Sequence, residues 1–174
     1  MQEARIGPPL PTAILGRTGL EVTRLGFGTA LAAPDRLHWN DQAAAELHRE
    51  VLAAGIDFVD TAYDCVEAER RIGELMHDHY DRLTVATKCG CTDTRPQANN
   101  SDHVWTRENL FRGLEGSLGR LRRDNVELMQ LHNPTVAECE AGGLVDALEE
   151  MKRSGAIRFL GVSTTLPDLP TYLS

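Results

Sequence analysis

Apolar runs alternate with amphipathic stretches from residue 24 onward, a pattern that predicts repeated β-α units around a parallel sheet. The strands are expected at 24–29 (RLGFGT), 56–60 (IDFVD), 82–88 (RLTVATK), 126–132 (VELMQLH) and 156–163 (AIRFLGVS). Between them fall stretches with apolar residues at three- and four-residue spacing, as a helix that buries one face requires. The first starts at Asp41 as N-cap, buries Ala44, Leu47, Val51 and Leu52, and stops at Gly55. The second covers 67–79 around Ile72, Leu75 and Met76. The third opens at Thr106 and buries Leu110, Leu114, Leu118 and Leu121. The fourth runs over 141–153, with Leu144, Val145, Leu148 and Met151 inward and Gly155 as its stop. A last helix follows the final strand. Ahead of the alternation, two short apolar arms flank Gly16-Arg17-Thr18-Gly19 and read as a β-hairpin over 13–22. Residues 1–11 are expected to be a flexible N-terminus, and 89–104 a polar, irregular rim loop.

In parallel α/β folds the carboxyl ends of the strands share one rim, where ligands bind. The predicted strands end at Gly28-Thr29, Asp60, Thr87-Lys88, His132 and Ser163-Thr164, so an acid, an amine, an imidazole and hydroxyls converge there. Each has a duller explanation: Asp60 could cap a helix, Lys88 could be a rim lysine, and His132 could simply end a strand. Capping does not call for a lysine and a histidine at successive strand ends, so the constellation carries the signal. Trp39 and Trp105 are candidates to line a pocket beside it.

Composition narrows this only at the margins. The chain has 174 residues, 41% hydrophobic and 25% charged, with a net charge of −8. That balance argues against a nucleic-acid partner, since phosphate binding needs a basic face. The arginines around 120–123 sit beside acids and read as a solvated helix end. No apolar run of about 18 residues is present, and the N-terminus lacks the apolar core of a signal peptide, so a cytoplasmic protein is expected. The four cysteines (65, 89, 91, 139) suit a reducing compartment. Cys89-Gly90-Cys91 lacks a second pair at zinc-finger spacing, and His77 and His79 lie two apart on a predicted helix end, so no metal site is expected.

Five segments together resemble the aldo-keto reductases: LGRTGLEVTRLGFGT, GIDFVDTA, VATKCG, LMQLHNP and KRSGAIRFLGVS, in order over residues 12–174. The resemblance implies a (β/α)8 TIM barrel, of which this chain would supply about five parallel β-α units preceded by the N-terminal hairpin. It implies hydride transfer from NADPH (NADP as the cofactor, with NAD as the alternative) to a small-molecule aldehyde or ketone. By resemblance Lys88 is the catalytic amine, Asp60 the carboxylate that holds it, and His132 the group that orients the carbonyl. Gly28, Thr29, Asp60, Ser163 and Thr164 would belong to the cofactor site, Thr164 standing where the family has asparagine.

Two features depart from that pattern. The family's proton-donating tyrosine lies five positions after the aspartate, where this chain has Cys65, with Tyr63 two residues earlier. A thiol is several ångströms shorter than a phenol, so Tyr63 would have to serve through a remodelled loop; the plainer reading is a packed or surface tyrosine. The length is the second departure, since a closed barrel takes about 250 residues. An unclosed sheet leaves edge strands with unpaired backbone groups, and self-association through them is expected. The alternatives are a non-catalytic barrel that binds cofactor or a partner protein, and a different barrel enzyme using Lys88 for a Schiff base.

Overall fold

Two glycines with positive φ, Gly16 (53°) and Gly19 (73°), turn the chain between β1 (Thr12–Ile14) and β2 (Glu21–Thr23). The two strands pair antiparallel, and Thr18 Oγ1 donates to the Leu15 carbonyl across the turn. The computed structural model describes residues 9–29, 40–92, 102–141, 143–165 and 169–172. Most of the expected flexible N-terminus, Trp39, the middle of the rim loop and part of the approach to the last helix lie outside these residues. The hairpin is tied to the body by Asp57, whose Oδ1 accepts from the Thr23 amide at 2.6 Å and from its hydroxyl at 2.9 Å.

Five parallel strands follow in chain order: β3 (Phe27–Gly28), β4 (Phe58–Asp60), β5 (Thr84–Cys89), β6 (Val126–His132) and β7 (Ile157–Ser163). Every residue of central β5 is buried, as expected of a parallel strand covered on both faces. Among the described residues the sheet is open, with β3 and β7 at its edges, and β7 is mostly half-buried for that reason. The first strand is shorter than the predicted 24–29, because only Phe27 and Gly28 find partners, in Val59 and Asp60.

Helices cover the sheet: α1 (Asp41–Ala54), α2 (Val66–Leu75), α3 (Arg107–Leu121), α4 (Val136–Ala141), α5 (Leu144–Arg153) and α6 (Leu169–Tyr172). Asn40, and not Asp41, caps α1: its side chain accepts from the Ala43 amide at 2.8 Å, a contact that stabilises a helix by about 1 kcal/mol. Asp41 instead reaches Arg71 at 3.1 Å. Gly55 ends α1 in the left-handed region as predicted. Thr106 caps α3 through the Asn109 amide. The predicted second helix divides into α2 and a 3-10 turn over His77–His79. The predicted fourth divides at Gly143, whose φ of 59° lies outside the helical range.

The core lies between sheet and helices and contains Val59, Ile72, Met76, Val85, Leu110, Leu114, Leu121, Met129, Leu131, Leu144, Leu148 and Met151. The predicted stripes are right at their centres and wrong at their margins. His48 and Ala147 are buried where Leu47 and Val145 were expected, and Leu75 and Val145 are exposed. At Gly73 the backbones of α2 and α3 meet: a Cβ there would lie 2.2 Å from the Arg120 carbonyl oxygen.

The arginines of the α3 terminus do not form a solvated end. Only Arg122 is well exposed, while Arg120 and Arg123 are drawn inward by buried carboxylates. Arg123 pairs with Glu127 at 2.7 Å, and Glu127 also accepts from the Val85 amide.

Candidate active site

Neighbouring strands in register present their side chains to the same face. Gly28 is level with Asp60, Lys88 with Gln130, Gln130 with Gly161, and His132 with Ser163. The strand ends therefore share one rim, and its centre is a charged pair. Lys88 is 8% exposed, and its Nζ donates to Asp60 Oδ2 at 2.7 Å and to the Thr61 carbonyl at 2.7 Å. Gln130 Nε2 donates to the other carboxylate oxygen of Asp60 at 3.2 Å. A lysine ammonium has three donors, and these contacts use two of them. Asp60 thus holds the amine from one side and is held by the amide from the other.

His132 lies one register step further along. Its Nδ1 is 3.0 Å from Cys91 Sγ and 3.8 Å from Asp64 Oδ1. Burial drives its pKa down to about 4, with Asp64 opposing that shift and Lys88 and His103 adding to it. The imidazole is consequently neutral around pH 7. The His103 ring meets it edge to face at 5.2 Å and stacks on Trp105 at 5.5 Å. Trp105 is thus packed next to the rim through His103, and it fills the space that a side chain at Gly90 would need.

The two tyrosine-slot candidates follow Asp60 on the chain, and the Cys65 thiol feels the charges of both Lys88 and Asp60. The Tyr63 ring is 5% exposed and packs on Gly113 and Gly116 of α3, with the Arg120 guanidinium 4.5 Å above it. The remodelled loop that would carry this ring to Lys88 is not the arrangement observed. Cys65 is buried at the start of α2, and burial, with Asp64 and Glu69 adding, pushes its thiol up to about 12. Behind it, Glu69 is fully buried between Arg120 at 2.7 Å and the Thr87 hydroxyl at 2.6 Å. Burial raises its pKa, and the guanidinium opposes the rise.

Of the residues expected to meet a cofactor, Gly28 is exposed at the end of β3, with open space where a Cβ would project. Thr29 is 1% exposed, and its hydroxyl has no hydrogen-bond partner among the described residues. Ser163 and Thr164 are half-buried at the end of β7. An orphaned hydroxyl and an open glycine thus sit at adjacent positions beside the rim, room and a polar group for a ligand.

Sequence reasoning missed Gln130, Asp64, Cys91 and His103. Gln130 had a signal, since it is polar, inside an apolar strand, and two residues before His132 on the same face. Cys91 and His103 had none, because an isolated antiparallel bridge between them sets their positions.

The model of the aldo/keto reductase family matches residues 24–169. A 6-dehydroglucose reductase of Novosphingobium aromaticivorans is 31% identical over 92% of this chain and 54% of its own length. L-galactose dehydrogenase of Arabidopsis thaliana is 29% identical over 91% of this chain and 50% of its own. The chain spans about half the length of these relatives. Among solved structures, the holo form of aldo-keto reductase AKR11C1 from Bacillus halodurans superposes with a TM-score of 0.81 at 27% identity, covering 94% of this chain and 53% of that one.

Proposed function

The chain belongs to the aldo/keto reductase family, and from that premise we propose that its rim serves NAD(P)H-dependent hydride transfer to a small aldehyde or ketone. One observation carries the reading: a buried lysine held between Asp60 and the Thr61 carbonyl at the carboxyl ends of the strands, with a donor to spare. The nicotinamide cofactor, when bound, supplies the hydride. Thr29, Ser163 and Thr164 are the residues that would hold its amide end, and Gly28 leaves room for it.

The chain's own groups then have distinct parts. Charge develops on the carbonyl oxygen, and donors already aimed at that point stabilise it without reorganisation. The third proton of Lys88 is such a donor, and it passes to the oxygen as the alkoxide forms, to be replaced from solvent. Asp60 keeps the amine aimed, and Gln130 keeps Asp60 from rotating away. His132, neutral at pH 7, offers a ring nitrogen to orient the carbonyl without adding a second cation beside Lys88. Neither Tyr63 nor Cys65 enters this reading as the proton donor, since the first is packed against α3 and the second binds its proton too tightly.

The test is transfer of label. The protein is incubated with cofactor deuterated at the transferring position and a panel of simple and sugar-derived aldehydes. Deuterium at the former carbonyl carbon, lost in Lys88→Met, supports the proposal. Absence of label in every product, with the cofactor unconsumed, would overturn it. The activity is proposed for the protein that carries these units; it matches about half the length of its relatives.

A further inference from the structure

Cys91, His103 and His132 come from three separate places, just past β5, ahead of α3, and the last residue of β6. Their candidate ligand atoms nonetheless all lie within 4.8 Å of one another. We propose that they form a binding site for a soft divalent cation, Zn2+ foremost, with Asp64 as the fourth ligand. Nothing in the proposed hydride transfer requires this site.

Four observations support it. Thiolate and imidazole are the ligands zinc prefers, and tetrahedral bonds of about 2.3 Å to sulfur and 2.0–2.1 Å to nitrogen put ligand atoms roughly 3.3–3.6 Å apart. The Cys91–His132 separation of 3.0 Å must open slightly and the widest must close by about an ångström, which side-chain rotation supplies. His103 Nε2 is buried with no hydrogen-bond partner among the described residues, a cost that a bond to a metal removes. Asp64, its side chain 2% exposed, brings Oδ1 within 3.8 Å of His132 Nδ1; it lies outside the three-residue cluster, so its side chain must turn to reach the ion. The charges also balance: on binding, Cys91 releases its proton to solvent, and thiolate plus carboxylate neutralise a 2+ ion in a poorly solvated place.

His132 belongs both to this site and to the proposed active site. Cation binding should therefore alter carbonyl reduction, a consequence that rests on the reductase reading; the binding itself does not.

Co2+ is the probe, because a tetrahedral thiolate site shows a sulfur-to-cobalt charge-transfer band and visible ligand-field bands without any turnover. One equivalent should develop both in the full chain, and Zn2+ should bleach them. Cys91→Ser should abolish the charge-transfer band. His103→Ala, at a half-buried position, should weaken affinity at least as much as the about 10–100-fold that loss of an outer-shell partner costs. Cys139→Ser, whose thiol meets the Tyr172 hydroxyl at 3.3 Å and is not among the cluster's ligands, should leave the spectrum unchanged. No charge-transfer band in the unaltered protein, or a band that survives Cys91→Ser, would overturn the site. Reductase activity could fail while cobalt binds, or the reverse, so the two readings are tested separately.

Discussion

Replacing Asp60 with asparagine probes the rim pair directly, because asparagine keeps the shape and removes the charge. Lys88 Nζ is 2.7 Å from Asp60 Oδ2. At that separation Coulomb attraction is about 6 kcal/mol for an effective dielectric of about 20, and about 1.5 kcal/mol in bulk water. The Lys88 side chain is 10% exposed and that of Asp60 40%, so water screens the carboxylate and the value falls towards the lower end. A coupling of about 2–3 kcal/mol is expected. Asp60→Asn alone leaves an ammonium with only the Thr61 carbonyl and an amide, and should destabilise the protein by about that amount. Lys88→Met alone should cost less, since the carboxylate left behind reaches water and keeps Gln130. Joining the two should restore part of the loss, because no buried charge is then uncompensated. Urea unfolding of all four proteins, followed by tryptophan fluorescence, gives the cycle. If the single effects add to within about 0.5 kcal/mol, the pair is uncoupled and the account of how Lys88 is held is wrong.

Two glycines should respond with opposite signs. Gly73→Ala puts a Cβ 2.2 Å from the Arg120 carbonyl oxygen and 2.9 Å from the Leu121 carbonyl carbon, where only backbone could give way, and should cost about 3 kcal/mol or more. Gly119→Ala in α3 meets nothing within 4 Å and should stabilise by about 0.5–1 kcal/mol; the same unfolding assay reads both, and equal signs would refute the packing described. His132, with a folded pKa of about 4 against 6.5 in the unfolded chain, should stay neutral in NMR titrations from pH 7 to near 5. Because the unfolded imidazole takes up its proton first, this group's contribution to stability is complete above pH 6.5 and is lost as pH falls towards 4. Protonation near pH 6.5 in the native protein would remove the neutral-imidazole step. Cys65 and Cys89, pushed up to about 12 by burial, should resist alkylation at pH 8 under native conditions, while partly exposed Cys139 reacts. Rapid modification of all three would show that the core opens easily.

How far the sequence could be read follows from the distance over which each feature is decided. Boundaries set within a turn or two were legible: Gly55 and Gly155 end their helices with φ of 78° and 82°, Thr106 caps α3, and β6 spans the predicted residues. The rim was legible too, because parallel pairing alone puts Asp60, Lys88 and His132 at strand ends, wherever the helices lie. The cap of α1 was displaced by one residue because Asn40 and Asp41 are both good caps, and Arg71, thirty residues away, engages Asp41. Glu69 is harder still. A glutamate inside a charged helix reads as surface, yet it is fully buried because Arg120 comes from α3 and Thr87 from β5 to meet it.

That one buried carboxylate also bears on the segment after Asp60. Drawn onto Glu69, Arg120 lies over the Tyr63 ring and donates to the Tyr63 carbonyl, so α3 helps decide which way the tyrosine faces. The orientation of the Tyr63 ring is therefore linked to an ion pair whose members are 51 positions apart. The same holds for Cys91, His103 and His132, which meet only after β5 pairs with β6 and the chain returns across the rim. Features decided locally place the strand ends at the rim, whereas the contacts that aim those side chains are non-local. Chemistry at this rim is best tested by disturbing the supports, Glu69 and Arg120 as much as Lys88 itself.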